Sequence, residues 1–234
     1  MGNLFGTFGN FTFFERFKKY GPLMTMPLEK YYYSRTATPF TFFNREFDTL
    51  YVQGSRDKIE KRFSKKPTDD CFKDITWKNN LNKMLYVDTK TWLPDDLLIK
   101  ADKITMANSI ELRVPLLDHK ILEFAAGIPP EYKVKWFTTK YILKQAFMEK
   151  VPDEVIQRKK TGFPVPYQRW LKNELRGYVN DILLDPRTLN RGYFDKKTLS
   201  KILTGKNGYS VYSKEIFSLL TLELWHRTFF DARQ

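Results

Sequence analysis

The chain has 234 residues, of which 42% are hydrophobic and 16% aromatic, and this profile excludes an intrinsically disordered protein. It carries 40 Lys and Arg against 27 Asp and Glu, and the net charge of +13 can attract an anionic partner. Because the basic residues occur in pairs and not in a long run, nucleic-acid binding is a weaker alternative to a polyphosphate site.

Cysteine, histidine and hydropathy exclude further classes of protein. Cys71 is the single cysteine, so no internal disulfide forms, and the two histidines lie far apart and suggest no Cys/His metal site. An oxygen-only Mg²⁺ site stays open. No apolar run reaches the roughly 20 residues of a membrane span, and the N-terminus lacks the basic start of a signal peptide. We therefore expect a cytoplasmic protein without membrane contact.

The N-terminal segment, residues 1–67, is predicted to be less regular than the helical segment 68–234. Residues 11–20 can form a helix that Gly21 stops, and the aromatic-rich sequence after it favours short helices and loops. The helical signals sharpen after Pro67, where Asp69 and Asp70 can cap a helix that runs to about residue 86.

A second helix is predicted after Pro94, with acidic residues in its first turn, where the helix dipole favours them. The apolar residues expected to face inward are Leu97, Leu98, Ala101 and Ile104. This arrangement leaves Lys100 and Lys103 as neighbours on another face.

Capping residues predict three helices further along the chain. Asp118 can cap a helix that Gly127 closes, and Thr138 can cap one that ends before Pro152. Asp195 can cap a third, and two more helices are predicted over residues 166–184 and 212–230. Because no convincing strand ladder is visible, the predicted fold class is mainly α.

The stretch SIELRVPLLDH, residues 109–119, mixes charged and apolar side chains. Pro115 favours extended backbone in the residues before it. Alternation along an extended segment places Glu111 and Arg113 on one side, with Leu112 and Val114 on the other, toward the core. One interpretation is that the charged side faces a ligand; the other is that Glu111 and Arg113 only pair with neighbours.

Lys140 has an unusual predicted position. If Thr138 caps its helix, Lys140 lies in the first turn, where the dipole disfavours a cation by about 0.3 to 1 kcal/mol. A bound phosphate would reverse that sign, because it would meet both the free backbone N–H groups and the ammonium. A solvated lysine that tolerates the small penalty is the alternative.

The motifs of independent catalysis are missing. The sequence contains no Walker loop, G-x-G-x-x-G, H-E-x-x-H or G-x-S-x-G pattern. Cys71 lies in a predicted helix without a nearby histidine. An independent nucleophilic hydrolase is therefore not expected.

Several motifs in order carry a family resemblance. Residues 92–135, the stretch TTKYILKQAF and the stretch VPDEVIQRKKTGFPVP resemble the C-terminal part of the synthetase domain of glutamine-hydrolysing asparagine synthetases. The similarity is strong over about residues 85–175 and weaker elsewhere. It implies a single partial domain over residues 1–234. This would be the helical portion of an ATP-pyrophosphatase (adenine nucleotide α-hydrolase-like) synthetase domain, lacking most of its doubly wound sheet.

The resemblance also implies a reaction and its participants. The aspartate side-chain carboxylate attacks the α-phosphate of ATP to give an aspartyl-adenylate and pyrophosphate. Ammonia derived from glutamine then displaces AMP. ATP and Mg²⁺ are thus expected for the complete enzyme, and no tight binding of either is expected for this chain alone.

Site residues follow from matches to the family motifs. Lys140 matches the lysine of G-K-x-x-L-R, which contacts the phosphates and stabilises the charge that develops as pyrophosphate leaves. Glu111 matches the acid of S-x-E-x-R-V-P-F-L-D, which assists proton removal in related β-lactam-forming enzymes. The matches near the pyrophosphate side are Lys100, Asp102, Lys103 and Lys160. The matches with a structural role are Arg113, Asp118 and Gly162.

The chain departs from the family at two points. The pyrophosphate-binding S-G-G-x-D-S loop is absent, and Gly2 stands where the glutaminase nucleophile would be a cysteine. The opening MGNLFGTFGNF resembles an eroded G-D-E-L-F-G-G-Y segment, so the chain is expected to begin in mid-domain, as a truncated piece, a split-gene product or a decayed paralogue. We expect no activity from the chain alone. The missing half or another subunit would complete the site; the alternative is a non-catalytic helical interaction module.

Overall fold

The computed structural model describes residues 26–33, 38–59, 66–76, 78–136, 138–158, 165–204 and 208–231. The predicted helix over residues 11–20 lies outside this part of the chain. The α-helices are α1 (Leu28–Tyr31), α2 (Phe42–Arg45), α3 (Phe47–Leu50), α4 (Gln53–Arg56), α5 (Lys66–Lys73), α6 (Asn80–Lys90), α7 (Ile99–Ala107), α8 (His119–Gly127), α9 (Pro130–Lys133), α10 (Tyr141–Phe147), α11 (Asp153–Gln157), α12 (Tyr167–Lys172), α13 (Arg176–Leu183), α14 (Pro186–Asn190), α15 (Lys196–Thr204), α16 (Gly208–Val211) and α17 (Ser213–Phe229).

Three kinds of shorter element complete the description. A π-helical turn, Leu93–Leu98, leads into α7, and a 3₁₀ turn, Pro115–Leu117, precedes α8. The strands β1 (Val134–Lys135) and β2 (Thr138–Thr139) form an antiparallel hairpin, the one sheet among the described residues. The predicted mainly α class is therefore confirmed.

The chain forms two compact units, each built from segments that are not consecutive in sequence. Unit 1 comprises Met1–Pro39 and Ser64–Lys159, and unit 2 comprises Phe40–Phe63 and Lys160–Gln234. The family motifs from residue 92 to residue 158 lie in unit 1. The expected single partial domain stays a prediction.

Unit 1 has a small core where α1, α5 and α6 meet. Leu28, Tyr32 and Val87 are buried there, and side chains from α5 and α6 pack around them. The Tyr32 hydroxyl donates a hydrogen bond to Asp88 Oδ1 at 2.7 Å, and Lys83 Nζ lies 2.7 Å from Glu29 Oε1. These contacts fasten α1 to α6.

The predicted helix from Asp69 to about residue 86 is wrong, because the chain forms two helices there. The first, α5, begins at Lys66 and ends at Lys73. The second, α6, begins after Asn79, whose Oδ1 accepts hydrogen bonds from Leu81 N at 2.8 Å and from Asn82 N at 3.2 Å. An asparagine cap satisfies these otherwise unpaired donors and so starts a new helix.

The rest of unit 1 contains no core among its described residues: none in the range 88–158 is buried. Leu97 and Ile104, expected to face inward, are exposed, as are Leu112 and Val114, at 44% and 42%. These inward predictions are wrong. The apolar pattern marks a face that would favour burial, but no described element of unit 1 buries that face.

Unit 2 has the larger core, which lies between α12, α13, α15 and α17. Its buried residues include Leu171, Val179, Leu203 and Ile216. Segment 40–59 joins this core through backbone hydrogen bonds, from Val52 N to Tyr193 O at 3.1 Å and from Asp195 N to Leu50 O at 2.7 Å. Asp195 also caps α15 as predicted, accepting from Thr198 N at 2.8 Å.

An ion cluster ties α14 to α17 in unit 2. Glu223 is 3% exposed, and its carboxylate accepts from Arg191 at 2.6 and 3.0 Å and from Arg227 at 2.8 Å. Arg191 also donates to Asp231 at 2.6 Å. Burial alone would raise the pKa of Glu223, but hydrogen bonds from the two guanidinium groups outweigh it and lower that pKa.

The apolar residues of α17 do not indicate a membrane-spanning helix. Glu223 interrupts its apolar run, and none of the helices that the structure describes is both long and apolar enough to cross a bilayer.

Candidate functional site

The loop between α7 and α8 begins with a helix-terminating turn centred on Ser109. Ile110 N donates to Thr105 O at 2.9 Å and Ser109 N donates to Met106 O at 3.0 Å. Ser109 has a left-handed φ of 56°. This paired-bond pattern with a left-handed residue is the Schellman motif, usually built with glycine. It ends α7 and directs the chain into the extended segment.

Glu111 and Arg113 lie on the same side of the extended segment, as alternation predicts. The Arg113 guanidinium contacts the Glu111 carboxylate at 2.5 Å, and both side chains are exposed. An exposed pair of this kind contributes about 0 to 1 kcal/mol. The pairing agrees with a local role, and the exposure leaves both groups accessible to a ligand.

Asp118 caps α8 as predicted. Its Oδ1 accepts a hydrogen bond from Lys120 N at 2.9 Å, and α8 ends at Gly127 as expected. Asp118 therefore fixes the direction in which the loop leaves the Glu111–Arg113 pair. This position agrees with the structural role that its motif match implies.

The three matched residues on α7 are exposed and differ in their contacts. Lys100 Nζ lies 2.8 Å from Asp96 Oδ1, one helical turn earlier. Asp102 and Lys103 form no ion pair with any residue that the structure describes. Of the two matched lysines on α7, Lys103 is therefore the one whose charge no described carboxylate pairs with.

The prediction that Thr138 caps a helix is wrong. Thr138 and Thr139 form β2, which pairs in register with β1, so that Thr138 faces Lys135 and Thr139 faces Val134. The helix α10 begins only at Tyr141. Thr138 is thus held in a strand three residues before the first residue of α10, and Lys140 occupies the N-cap position.

Lys140 is the residue before α10 and not a member of its first turn. It has a left-handed backbone with φ 58° and ψ 33°. This conformation costs a non-glycine residue about 1 to 2 kcal/mol. The side chain is exposed and forms no ion pair with the described residues. The hairpin and the start of α10 therefore present the Lys140 ammonium to solvent from a constrained backbone.

Sequence reasoning missed Lys133, which anchors the hairpin. Its Nζ donates to Asn82 Oδ1 on α6 at 2.8 Å and to Ala126 O on α8 at 3.3 Å. Burial lowers the pKa of Lys133. No local pattern marks this lysine, because Asn82 lies 51 residues away in sequence and Ala126, seven residues away, accepts through its backbone carbonyl. Through Lys133, the base of the hairpin is fixed to two helices.

The structure brings together part of the predicted site. Glu111 contacts Arg113, but within the described residues no hydrogen bond or ion pair joins this pair to Lys140, Asp102 or Lys103. Lys160 and Gly162 lie in 159–164, outside the described residues. No group of three or more metal-binding side chains forms in the part of the chain that is described.

Comparison with known proteins decides the family. The sequence profile described as asparagine synthase matches residues 6–227. The chain belongs to the asparagine synthase family. Family membership, first predicted from the order of the motifs, is thereby confirmed.

Individual relatives agree with this assignment. The chain is 41% identical over 167 residues to an asparagine synthetase [glutamine-hydrolyzing] 1 of Bacillus subtilis, covering 71% of this chain and 26% of the relative. It is 36% identical over 162 residues to a putative asparagine synthetase [glutamine-hydrolyzing] of Mycobacterium tuberculosis, covering 64% and 23%. It is also 30% identical over 122 residues to the amidase chyE of Penicillium rubens, covering 49% and 18%.

The matched length bears on function. The chain spans about a quarter of the length of the asparagine synthetases it matches, 26% and 23% in the two cases above. No solved structure matches the chain. The activity of the whole relatives is therefore a proposal for this chain.

Proposed function

We propose that this chain forms part of an ATP-dependent asparagine synthase and contributes the Lys140 and Glu111 region to an active site completed by other polypeptide. The observation that carries the proposal is the asparagine synthase match over residues 6–227. The exposed ammonium of Lys140 supports it, because no described residue neutralises that charge. In this proposal the helices belong to an ATP-pyrophosphatase synthetase domain, and the protein works in the cytoplasm.

The proposed chemistry has two steps. An aspartate carboxylate oxygen bonds to the α-phosphorus of ATP as the bond to pyrophosphate breaks. Ammonia from glutamine then attacks the activated carbonyl carbon, loses a proton and expels AMP. Lys140 would stabilise the negative charge that grows on the leaving pyrophosphate. Glu111 would accept a proton as the amide forms.

In this proposal, Mg²⁺ is a cofactor of the complete enzyme. The described residues assemble no group of three or more metal-binding side chains. Lys100, Lys103 and Lys160 add positive charge near the pyrophosphate in the proposed site, with Asp102 beside them. Arg113, Asp118 and Gly162 shape the loops that position these groups.

The test is aspartate-dependent exchange between ATP and pyrophosphate. The chain is assayed alone and together with a polypeptide made of the part of the Bacillus subtilis relative outside the match. We expect exchange only in the mixture, and a loss of about a hundredfold in Lys140→Ala, as for removal of one group that stabilises transition-state charge. The matched control is Lys150→Ala, an exposed lysine beyond α10. Exchange that survives Lys140→Ala unchanged would contradict the role of Lys140.

A non-catalytic interaction module of the same family is the second candidate. The observation that favours it is that none of the described residues in 88–158 is buried. It predicts a stable complex with the complementary polypeptide and no exchange activity. Exchange that depends on this chain would exclude it.

A further inference from the structure

Within the described residues, one side chain hydrogen-bonds the segment 133–140 to α6 and α8. The Lys133 ammonium donates to Asn82 Oδ1 on α6 at 2.8 Å and to Ala126 O in the last turn of α8 at 3.3 Å. A cation is favoured at that end of a helix, where carbonyl groups lack intrahelical partners. Among the described residues of this segment, Lys133 and Thr138 are half-buried and the others are exposed. Lys133 is therefore the anchor of the hairpin.

The hairpin connects this anchor to Lys140. The strand β1 begins directly after Lys133, β2 ends directly before Lys140, and the two strands pair in register. The Lys140 carbonyl accepts from Lys144 N at 3.0 Å, so the same backbone also begins α10. The Lys135 ammonium lies 4.9 Å from the centre of the Tyr141 ring, which adds a cation–π contact between the hairpin and α10. A displacement of Lys133 would therefore move the backbone of Lys140 with it.

The Lys140 ammonium depends on its backbone for its position. The side chain is exposed and forms no ion pair with any residue that the structure describes. A lysine side chain is a flexible four-carbon stem, so the place and direction of the backbone limit where its charge can lie. Misplacement of a reacting group by about 1 Å can cost about a hundredfold in rate. A reaction that uses Lys140 would thus be sensitive to whatever holds the hairpin.

We propose that Lys133 is a positioning residue: its ammonium holds the hairpin so that Lys140 meets the pyrophosphate as the aspartate oxygen displaces it from ATP. This inference rests on the proposed function. Through Ala126, the same ammonium is attached to α8, which begins at the Asp118 cap that follows the Glu111 loop. Lys133 therefore connects the two residues to which the proposed function assigns chemistry.

Amide hydrogen exchange in the chain alone tests the anchor without any activity. NMR compares the parent with Lys133→Met, which keeps a stem of similar size but cannot donate a hydrogen bond. We expect the Lys144 amide, which donates to Lys140 O, to exchange about tenfold faster in the variant. Amides of α15, in unit 2, are expected to stay unchanged. An unchanged Lys144 amide would overturn the inference.

Aspartate-dependent ATP–pyrophosphate exchange in the complemented mixture tests the positioning. We expect Lys133→Met to lower kcat by about tenfold to a hundredfold and to leave KM for aspartate unchanged, because the misplaced contact acts on the transition state. Lys133→Arg keeps donors for both acceptors and is expected to stay within about threefold of the parent. The matched control is Lys150→Met, at an exposed lysine beyond α10, which is expected to react like the parent.

A double-mutant cycle separates positioning from a general loss of stability. In a chain with Lys140→Ala the ammonium to be positioned is absent, so adding Lys133→Met is expected to change the rate by less than about twofold. A variant that acted by unfolding the chain would lower the rate by the same factor in both backgrounds. Asn82→Ala removes the acceptor on α6 and is expected to reproduce the kcat loss of Lys133→Met.

The possible results distinguish this inference from the proposed function. If the parent mixture is active, three results would overturn the positioning role alone: full activity of Lys133→Met, losses that multiply in the double variant, or equal losses in Lys133→Arg and Lys133→Met. An inactive parent mixture would overturn the proposed function, and the positioning role with it, even where Lys133→Met speeds amide exchange in the hairpin.

Discussion

Two left-handed residues border the candidate site, Ser109 at the end of α7 and Lys140 before α10, with φ of 56° and 58°. A side chain in this conformation carries strain that glycine does not. We expect Ser109→Gly and Lys140→Gly each to raise the free energy of unfolding by about 1 kcal/mol. Urea denaturation measures this, and Lys140→Ala serves as control because alanine keeps the strain.

The two glycine variants then separate strain from chemistry. Only Lys140→Gly removes the proposed phosphate contact, so only that variant is expected to lose ATP–pyrophosphate exchange in the complemented enzyme. A loss of exchange in both variants would mean that the backbone shape, and not the ammonium, controls the reaction.

Glu111 offers a second test at single-residue level. Its pair with Arg113 is exposed, so Glu111→Gln is expected to change the free energy of unfolding by less than about 0.5 kcal/mol. Chemical denaturation gives that value, and exchange assays of the complemented enzyme give the activity. A stability loss well above this limit would assign Glu111 to the structure of the loop and not to proton transfer.

Among the elements, α8 depends on its cap. Asp118 accepts from Lys120 N and satisfies one donor of a nine-residue helix. We expect Asp118→Ala to lower the free energy of unfolding by about 1 kcal/mol, and Asp118→Asn to keep most of it, since asparagine caps as well. Circular dichroism during urea titration reports the difference. Equal losses in both variants would show that the negative charge matters more than the cap.

The ion cluster controls how α17 responds to pH. The pKa of Glu223 is lowered in the folded protein, so its contribution is fully present above the unfolded pKa, about 4.3, and is lost as pH falls through the folded pKa. We expect Glu223→Gln to cost about 3 kcal/mol at pH 7, because it leaves Arg191 and Arg227 without their shared carboxylate. The cost should shrink as the pH falls below about 4.3.

Thermal or urea unfolding of the parent chain and of the Glu223→Gln variant between pH 3 and 7 measures this cost. Glu174→Gln is the matched control, because Glu174 pairs with Arg169 at an exposed site. Its expected cost is below about 0.5 kcal/mol at every pH. If the cost of Glu223→Gln in free energy of unfolding did not change with pH, ionisation of the Glu223 carboxylate would not be the cause of that cost.

Element boundaries show what sequence could predict here. The caps at Asp118 and Asp195 were predictable because a cap depends only on residues two or three positions away. Thr138 has the same local chemistry, but its backbone pairs with Lys135 across the hairpin, and the capping signal does not contain this pairing. The break between α5 and α6 was missed because Asn79 was not recognised as a cap.

In the candidate site, too, the sequence predicted contacts between near neighbours and missed those that depend on distant residues. Alternation placed Glu111 and Arg113 on one side of the extended segment, and the ion pair agrees. The side that Leu112 and Val114 occupy was expected to pack, and it is exposed. Apolar pattern reveals which face favours burial, but not whether the covering polypeptide belongs to the same unit. Lys133 was missed because its side-chain partner, Asn82, is distant in sequence and its other partner is a backbone carbonyl, which no residue type signals.

At the scale of the whole molecule, burial is uneven between the units. The described core residues of unit 2 include twelve buried positions in one cluster, whereas 88–158 of unit 1 has none. We expect amide hydrogen exchange in α13, α15 and α17 to be slower than in α7, α8 and α10 by about a hundredfold or more in the chain alone. Among the described residues, limited proteolysis is expected to cut first within 88–158. Equal protection in both regions would contradict this.

The exposed apolar side chains of α7 and α8 also have a consequence for abundance in a cell. Helices without buried residues among those described open readily, and their apolar side chains are then available to chaperones and proteases. Under the proposed function, polypeptide that binds the folded chain stabilises it by mass action. If that polypeptide is a separate subunit, the steady-state amount of this chain is expected to follow its supply, with surplus copies degraded.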